Sequence, residues 1–223
     1  MPRQQIGCWR DTETLFRYAG EVTKNNYAVP DNLATVYSRR GQLDEAIREY
    51  REALRLNPYY ALVHYNLGNA LLQKGQTDEA IQHYRKSILL QPMYFDPYNN
   101  LGLALRKKGR VAEAIRQFQQ AVRLKPDDAD VHYNLGAALA QRGQLNEAIH
   151  HYEQALRLKP DRAEVHNNLG AAFYQQGRAG EAIRQFQEAL QLQPDYGDAR
   201  RNLNVALAAQ AGSSPPTGIS TNR

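Results

Sequence analysis

Residues that form covalent or metal cross-links are scarce in this 223-residue sequence. The single cysteine, Cys8, permits no intramolecular disulfide and excludes a cysteine-rich zinc site. No candidate base accompanies Cys8, which favours an inert thiol over a nucleophile. The sequence also contains no HExxH zinc motif, no phosphate-binding loop and no GxSxG nucleophile motif. We therefore expect a protein that is not an enzyme and that needs no metal or cofactor.

Long apolar segments are missing as well. No run approaches the roughly 20 apolar residues that cross a bilayer, and the N-terminal "MPRQQIGCWRDTETLF" lacks the apolar core of a signal peptide. We expect no membrane insertion of this chain and a cytoplasmic location, or a periplasmic or lumenal one if it belongs to a membrane protein. The net charge of +5 arises from 28 basic and 23 acidic side chains spread along the chain, so no nucleic-acid partner is expected.

What the sequence does have is a 34-residue period. The period is marked by prolines at 58, 92, 126, 160 and 194, by glycines at 41, 75, 109, 143 and 177, and by five Ala-Ile pairs that begin with Ala46. We number each repeat so that its closing proline is repeat position 32. The five complete repeats then cover 27–60, 61–94, 95–128, 129–162 and 163–196.

Each repeat reads as two helices. The first ends at the glycine of repeat position 15, because glycine adopts a positive φ without strain. The second begins near the glutamate of repeat position 19, whose charge suits a helix N-terminus, and ends before the proline. Repeat positions 8 and 20 are Gly or Ala, whereas position 24 is Tyr or Phe. Small residues opposite a ring allow two helices to approach closely, and one such pair buries too little surface to fold alone.

This pattern resembles the tetratricopeptide repeat family over about residues 27–211. The resemblance implies an all-α fold, a right-handed superhelical solenoid of helix-turn-helix repeats, in which the first helix of each repeat lines a concave groove. It also implies a protein or peptide as the partner. The sequence thus favours a non-catalytic scaffold that binds an extended peptide or a partner helix in the groove.

The two ends of the array differ from the complete repeats. Residues 1–26 match only the second helix of a repeat, residues 197–211 match a first helix that would cap the array, and 212–223 have the composition of a disordered tail. The half-repeat indicates either a boundary inside a longer protein or a face for self-association. The segment "WRDTETLFRYAGEVTKNN" is similar to the start of arrays in membrane O-mannosyltransferase-type proteins. Two alternative functions follow: a substrate-positioning region of a larger glycosyltransferase, or a self-assembling scaffold.

Asparagine recurs at repeat position 6 of the first helices, on the stripe opposite the packing positions. Packed helices lie about 8–10 Å apart, close to the length of three residues of extended peptide. A primary amide can bond both backbone C=O and N–H groups. The row resembles the peptide-binding asparagines in the array of O-linked N-acetylglucosamine transferase. The members are Asn32, Asn66, Asn100, Asn134, Asn168 and Asn202.

Apolar and polar neighbours of the row extend the candidate peptide site. Tyr65, Leu72 and Leu103 are expected to form one apolar pocket, and Tyr133 and Tyr174 another. Asn69 is a further candidate contact in the groove. Two alternative origins of the asparagine row remain open. The amides could bond within the array, or the row could be left from duplication of one ancestral repeat.

Histidine occupies repeat position 4 in three repeats, at His64, His132 and His166. Adjacent helix pairs would separate such residues by about 8–10 Å, whereas zinc needs ligands about 2.0–2.1 Å from one ion. We expect these histidines to be structural. The adjacent His150 and His151 point in different directions on a helix and are expected at the surface.

Overall fold

The structure, a computed structural model, describes residues 26–212 as two compact bodies. The predicted half-repeat over 1–26 and the tail over 212–223 therefore lie almost wholly outside the described residues, as does Cys8. We call 26–108 the N-terminal body and 109–212 the C-terminal body. Every regular element in the described residues is an α-helix.

The N-terminal body contains two complete helix pairs and the first helix of a third. Its helices are α1 (Ala28–Arg39), α2 (Leu43–Leu56), α3 (Ala61–Gln73), α4 (Thr77–Leu90) and α5 (Phe95–Lys107). The C-terminal body begins with a second helix and ends with a first helix. Its helices are α6 (Val111–Leu124), α7 (Ala129–Gln141), α8 (Leu145–Leu158), α9 (Ala163–Gln175), α10 (Ala179–Leu192) and α11 (Gly197–Gln210).

The turn between the two helices of a pair depends on the glycine at repeat position 15. Gly75, for example, has a φ of +83°, and its counterparts in the other pairs are also left-handed. In any residue type other than glycine, such a φ brings Cβ close to backbone atoms. The glycine therefore ends the first helix and lets the second helix fold back on it.

The pairs α3–α4, α7–α8 and α9–α10 each pack through a glycine of the first helix against a ring of the second. A Cβ added to Gly170 would lie 2.7 Å from Cε1 of Phe186, and one added to Gly68 would lie 2.6 Å from Cε1 of Tyr84. Both rings are fully buried. The predicted pairing of small and aromatic positions is thus the contact that holds the two helices together.

In the first helices from α3 onward, the side chain at repeat position 4 forms a hydrogen bond that holds the start of the helix. The Nε2–H groups of His64, His132 and His166 donate to the carbonyl oxygen of the proline six residues earlier, at 2.9–3.1 Å. Tyr98 and Arg200 donate to the equivalent carbonyls, at 3.0 and 2.5 Å. These histidines therefore serve packing, because each supplies the donor that a carbonyl at the end of the preceding helix needs.

The all-α tetratricopeptide fold class predicted from the sequence is confirmed by this succession of packed helix pairs. Within residues 26–212, none of the helices has the length and apolarity required to cross a membrane. The helices α3, α5, α7, α9 and α11 begin at intervals of 34 residues, as the period predicts.

Candidate peptide-binding surface

In the N-terminal body the first helices α1, α3 and α5 carry three asparagines of the row. Asn100 on α5 donates from Nδ2 to Oδ1 of Asn69 on α3, at 2.8 Å, and lies 3.4 Å from the Tyr65 hydroxyl. The Tyr84 hydroxyl donates to the same Asn69 oxygen, also at 2.8 Å. Asn69 and Asn100 therefore join α3 to α5, and Asn100 keeps a partly exposed side chain beside this junction.

The other two asparagines of the row in this body take less part in contacts between helices. Asn32 is exposed and Asn66 is partly exposed. The Asn66 side chain forms no hydrogen bond with any residue that the structure describes. Its amide thus retains two donors and an acceptor oxygen for a ligand.

Aromatic and apolar side chains lie beside these amides. The Tyr65 ring contacts Tyr94 edge-on, with 5.2 Å between centroids, and lies 6.2 Å from Tyr84. Burial raises the pKa of all three hydroxyls above the usual value, so they remain protonated hydrogen-bonding groups at any physiological pH. Leu103 is partly exposed on the same helix as Asn100.

The row is used differently in the C-terminal body. Asn168 on α9 donates to the Tyr133 hydroxyl on α7, at 3.2 Å. Asn202 on α11 donates to Oδ1 of Asn167 on α9, at 2.8 Å. Asn167, Asn168 and Asn202 are only 0%, 2% and 1% exposed. Asn168 and Asn202 are therefore interior groups that join first helices, and we leave both out of the proposed contact surface.

The remaining predicted contacts of this body are partly exposed. Asn134 and Tyr174 each have an intermediate exposure, and Asn134 takes part in interactions within the chain. Tyr133 is covered by the guanidinium of Arg162, whose Cζ lies 5.4 Å from the ring centroid. The part of the site predicted around Tyr133 is therefore occupied by a side chain of the same body.

Sequence reasoning missed two contacts between histidines. Nδ1 of His64 lies 2.9 Å from Nδ1 of His83, and His132 makes the same contact with His151 at 3.0 Å. Burial, and next the charge of the neighbouring imidazole, lower the pKa of His83 and of His151 to about 4. His150 is exposed as expected, and His151 is partly exposed with its ring against His132. The available signal was the joint presence of histidine at repeat positions 4 and 23 in two repeats.

A separate cleft of about 410 Å³ lies in the C-terminal body, between α8, α9 and α10. Leu156, Leu169 and Phe173 form its apolar lining, and Glu153 and Arg184 are among its polar residues. Among residues 26–212, no group of three or more His, Cys, Asp or Glu side chains could hold a metal ion.

The comparisons with solved structures agree with this architecture. The chain is similar to YrrB, described as a tetratricopeptide protein with an unusual peptide-binding site, at 26% identity and a TM-score of 0.75 over 88% of this chain and 97% of YrrB. It is similar to MamA from Desulfovibrio magneticus RS-1 at 25% identity and a TM-score of 0.72, over 77% of this chain and 97% of that one. It also matches the Cut9–Hcn1 structure at 26% identity and a TM-score of 0.69, over 87% of this chain but only 39% of that one.

The sequence comparisons give one family. A search of curated proteins finds no significant match. Residues 10–214 match the family model described as the Cilia and flagella-associated protein 70 C-terminal domain. A match of this extent, together with the helix pairs above, shows that the chain belongs to that tetratricopeptide-repeat family.

Proposed function

We propose that this chain is a non-catalytic interaction scaffold whose N-terminal body binds an extended peptide along the first helices α1, α3 and α5. The observation that carries the proposal is the Asn66 amide, which is partly exposed and makes no hydrogen bond within the described residues. Asn32 lies at the same position of the preceding repeat and Asn100 at that of the next. The peptide binding described for YrrB supports this choice of ligand class.

An extended peptide suits these amides better than a helical peptide does. The backbone groups of a helix interior already bond to each other, whereas those of an extended peptide need partners. Three peptide residues span about the same distance as one helix-to-helix step. One amide per step can therefore bond every third residue without reading its side chain.

Affinity must come from more than the amides. Each hydrogen bond contributes only about 0.5–1.5 kcal/mol. Tyr65 and Leu103 offer apolar surface that contributes about 25 cal/mol for each Å² buried. We therefore expect modest affinities, in which side chains of the peptide contribute through these two residues.

The bodies differ in what they offer to a ligand. In the C-terminal body the Asn168 and Asn202 amides are buried, and Tyr133 is covered by Arg162. The N-terminal body keeps an exposed amide at Asn32 and a partly exposed one at Asn66. We place the principal peptide contacts on the N-terminal body for this reason.

The test is a peptide selected from a random display library on the intact chain. Changing Asn32 and Asn66 together to Ala should weaken its binding at least about tenfold, which corresponds to about 1.4 kcal/mol. Neither side chain is buried, so helix content should not change. The control is Gln82→Ala on an exposed position of α4, which should bind as the unmodified chain does. Equal affinity for all three proteins would reject the proposed surface.

A further inference from the structure

The C-terminal body contains a binding site for a guanidinium group, filled by its own Arg162. The Arg162 side chain lies over the Tyr133 ring, within the distance at which a cation is attracted to an aromatic face. Its Nε donates to Glu164 at 2.7 Å, and its Nη1 donates to Asp130. In repeat numbering, the site combines tyrosine at position 5 with carboxylates at position 2 of two successive repeats. Arg162 itself is at position 34.

The N-terminal body repeats part of this arrangement without the arginine, and Leu62 stands where the Arg162 site has Asp130. Tyr65 is at position 5, as Tyr133 is, and Asp96 is at position 2 of the following repeat, as Glu164 is. Position 34, where the arginine would stand, holds Tyr94. The Tyr65 and Tyr94 rings meet edge to face at 5.2 Å and an interplanar angle of 66°. Two aromatic rings and a carboxylate are therefore present, and the cation is not.

Asp96 is available to a ligand. It is partly exposed in the first turn of α5 and has no salt-bridge partner among residues 26–212. It lies two residues after Tyr94 in the chain, and its charge contributes to the raised pKa of both tyrosine hydroxyls. The carboxylates of the Arg162 site are paired within the chain, whereas Asp96 lacks a cation.

We propose that Tyr65, Tyr94 and Asp96 form a subsite for a basic side chain, preferentially arginine, of the peptide bound by the N-terminal body. The carboxylate would accept charge-assisted hydrogen bonds from the guanidinium, and the ring faces would contact its plane. Arginine is favoured over lysine because the internal counterpart is an arginine and because a planar guanidinium both stacks and bonds in a bidentate manner. The inference rests on the proposed peptide-binding function and specifies the chemistry of its ligand.

The Arg162 site suggests a substitution that should fill this subsite. Tyr94→Arg would place a guanidinium at position 34, next to Tyr65 and Asp96, as Arg162 lies next to Tyr133 and Glu164. A basic peptide side chain would then meet a like charge at a filled site. Asp96→Asn removes the carboxylate and keeps the size of the side chain. The matched control is Asp127→Asn, an exposed carboxylate in the C-terminal body.

The experiment compares random 12-residue peptide libraries selected in parallel on the unmodified chain and on the three variants, each checked for unchanged helix content. We expect arginine to be enriched at least threefold in peptides selected by the unmodified chain and by Asp127→Asn. We expect the enrichment to disappear for Asp96→Asn and for Tyr94→Arg. For the best arginine peptide, replacing arginine with uncharged citrulline should weaken binding at least fivefold on the unmodified chain and by less than twofold on Asp96→Asn.

Two outcomes overturn the inference, and they are distinguishable. If all four proteins select peptides without arginine enrichment, or if enrichment survives in Asp96→Asn, the subsite is wrong while the proposed peptide groove stands. If none of the proteins selects peptides above background, the proposed function fails and this inference fails with it.

Discussion

Replacing Gly170 with Ala tests the glycine–ring contact between α9 and α10. The new Cβ would lie 2.7 and 2.8 Å from two carbons of the Phe186 ring and 3.1 Å from the Ala182 carbonyl oxygen. Carbon atoms prefer separations of about 3.5–4.0 Å, so the ring or the helix must move by close to 1 Å. Because Phe186 is fully buried, we expect an overpacking cost of about 1–3 kcal/mol, partly offset by the better helix propensity of Ala, about 1 kcal/mol.

The same substitution at Gly180 provides the control. Gly180 is also helical, but the nearest atom to an added Cβ is the Gln210 amide nitrogen at 3.9 Å. Gly180→Ala should therefore stabilise the chain by up to about 1 kcal/mol. Urea unfolding followed by far-ultraviolet circular dichroism would compare the two midpoints. Equal midpoints for Gly170→Ala and Gly180→Ala would refute the claim that glycine–ring contacts set the spacing of each pair.

Two further predictions concern polar groups packed between helices. Because the pKa values of His83 and His151 are held at about 4 rather than 6.5 in the folded chain, the unfolded chain binds protons first as the pH falls. Stability should be full above about pH 7 and decline between about pH 6.5 and 4, by about 1–2 kcal/mol per imidazole after allowance for partial exposure. Changing both to Gln should flatten this part of a plot of unfolding free energy against pH, and an unchanged slope would show that other groups cause the decline. Asn202→Ala should leave the buried Asn167 oxygen without its donor and cost about 1–3 kcal/mol. Hydrogen exchange should then show faster opening of α11 than in the unmodified chain, with α8 unchanged, and equal protection of α11 in both proteins would reject this role.

The fold could be predicted from the sequence because its signals are local. The glycine at repeat position 15 and the proline at position 32 decide where a helix ends without reference to distant residues. The glycine–ring pairs of positions 8 and 24 also recur in a fixed register. Five copies of the pattern made the assignment of helices secure.

The solvent exposure of each asparagine could not be predicted from the sequence, because it depends on how closely neighbouring first helices approach each other. In the C-terminal body the residues three positions after Asn134 and Asn168 are Ala137 and Ala171, which are 9% and 0% exposed. The Asn168 amide beside Ala171 is buried, whereas Asn134 beside Ala137 keeps an intermediate exposure. In the N-terminal body the same repeat position holds Asn69 and Leu103, which remain partly exposed. Asparagines at the same repeat position therefore lie in different environments.

The histidine contacts illustrate a second limit. Repeat position 4 was correctly assigned to packing for His132, but the partner of its second ring nitrogen lies on the other helix of the pair. A helical spacing rule relates residues within one helix only. The sequence therefore does not indicate that the partly exposed His151 lies against His132.

On our proposal, a peptide lies along the first helices of the N-terminal body. Site-specific photo-crosslinking examines this placement without removing a proposed contact. A benzophenone amino acid is placed in turn at Leu62, which is exposed one turn before Asn66 on α3, at Gln82 on α4 and at Arg184 in the cleft of the C-terminal body. With a display-selected peptide, we predict a covalent adduct from the Leu62 position and background levels from the other two. Adducts that form at Gln82 or Arg184 while the Leu62 position stays at background would show that the peptide binds elsewhere.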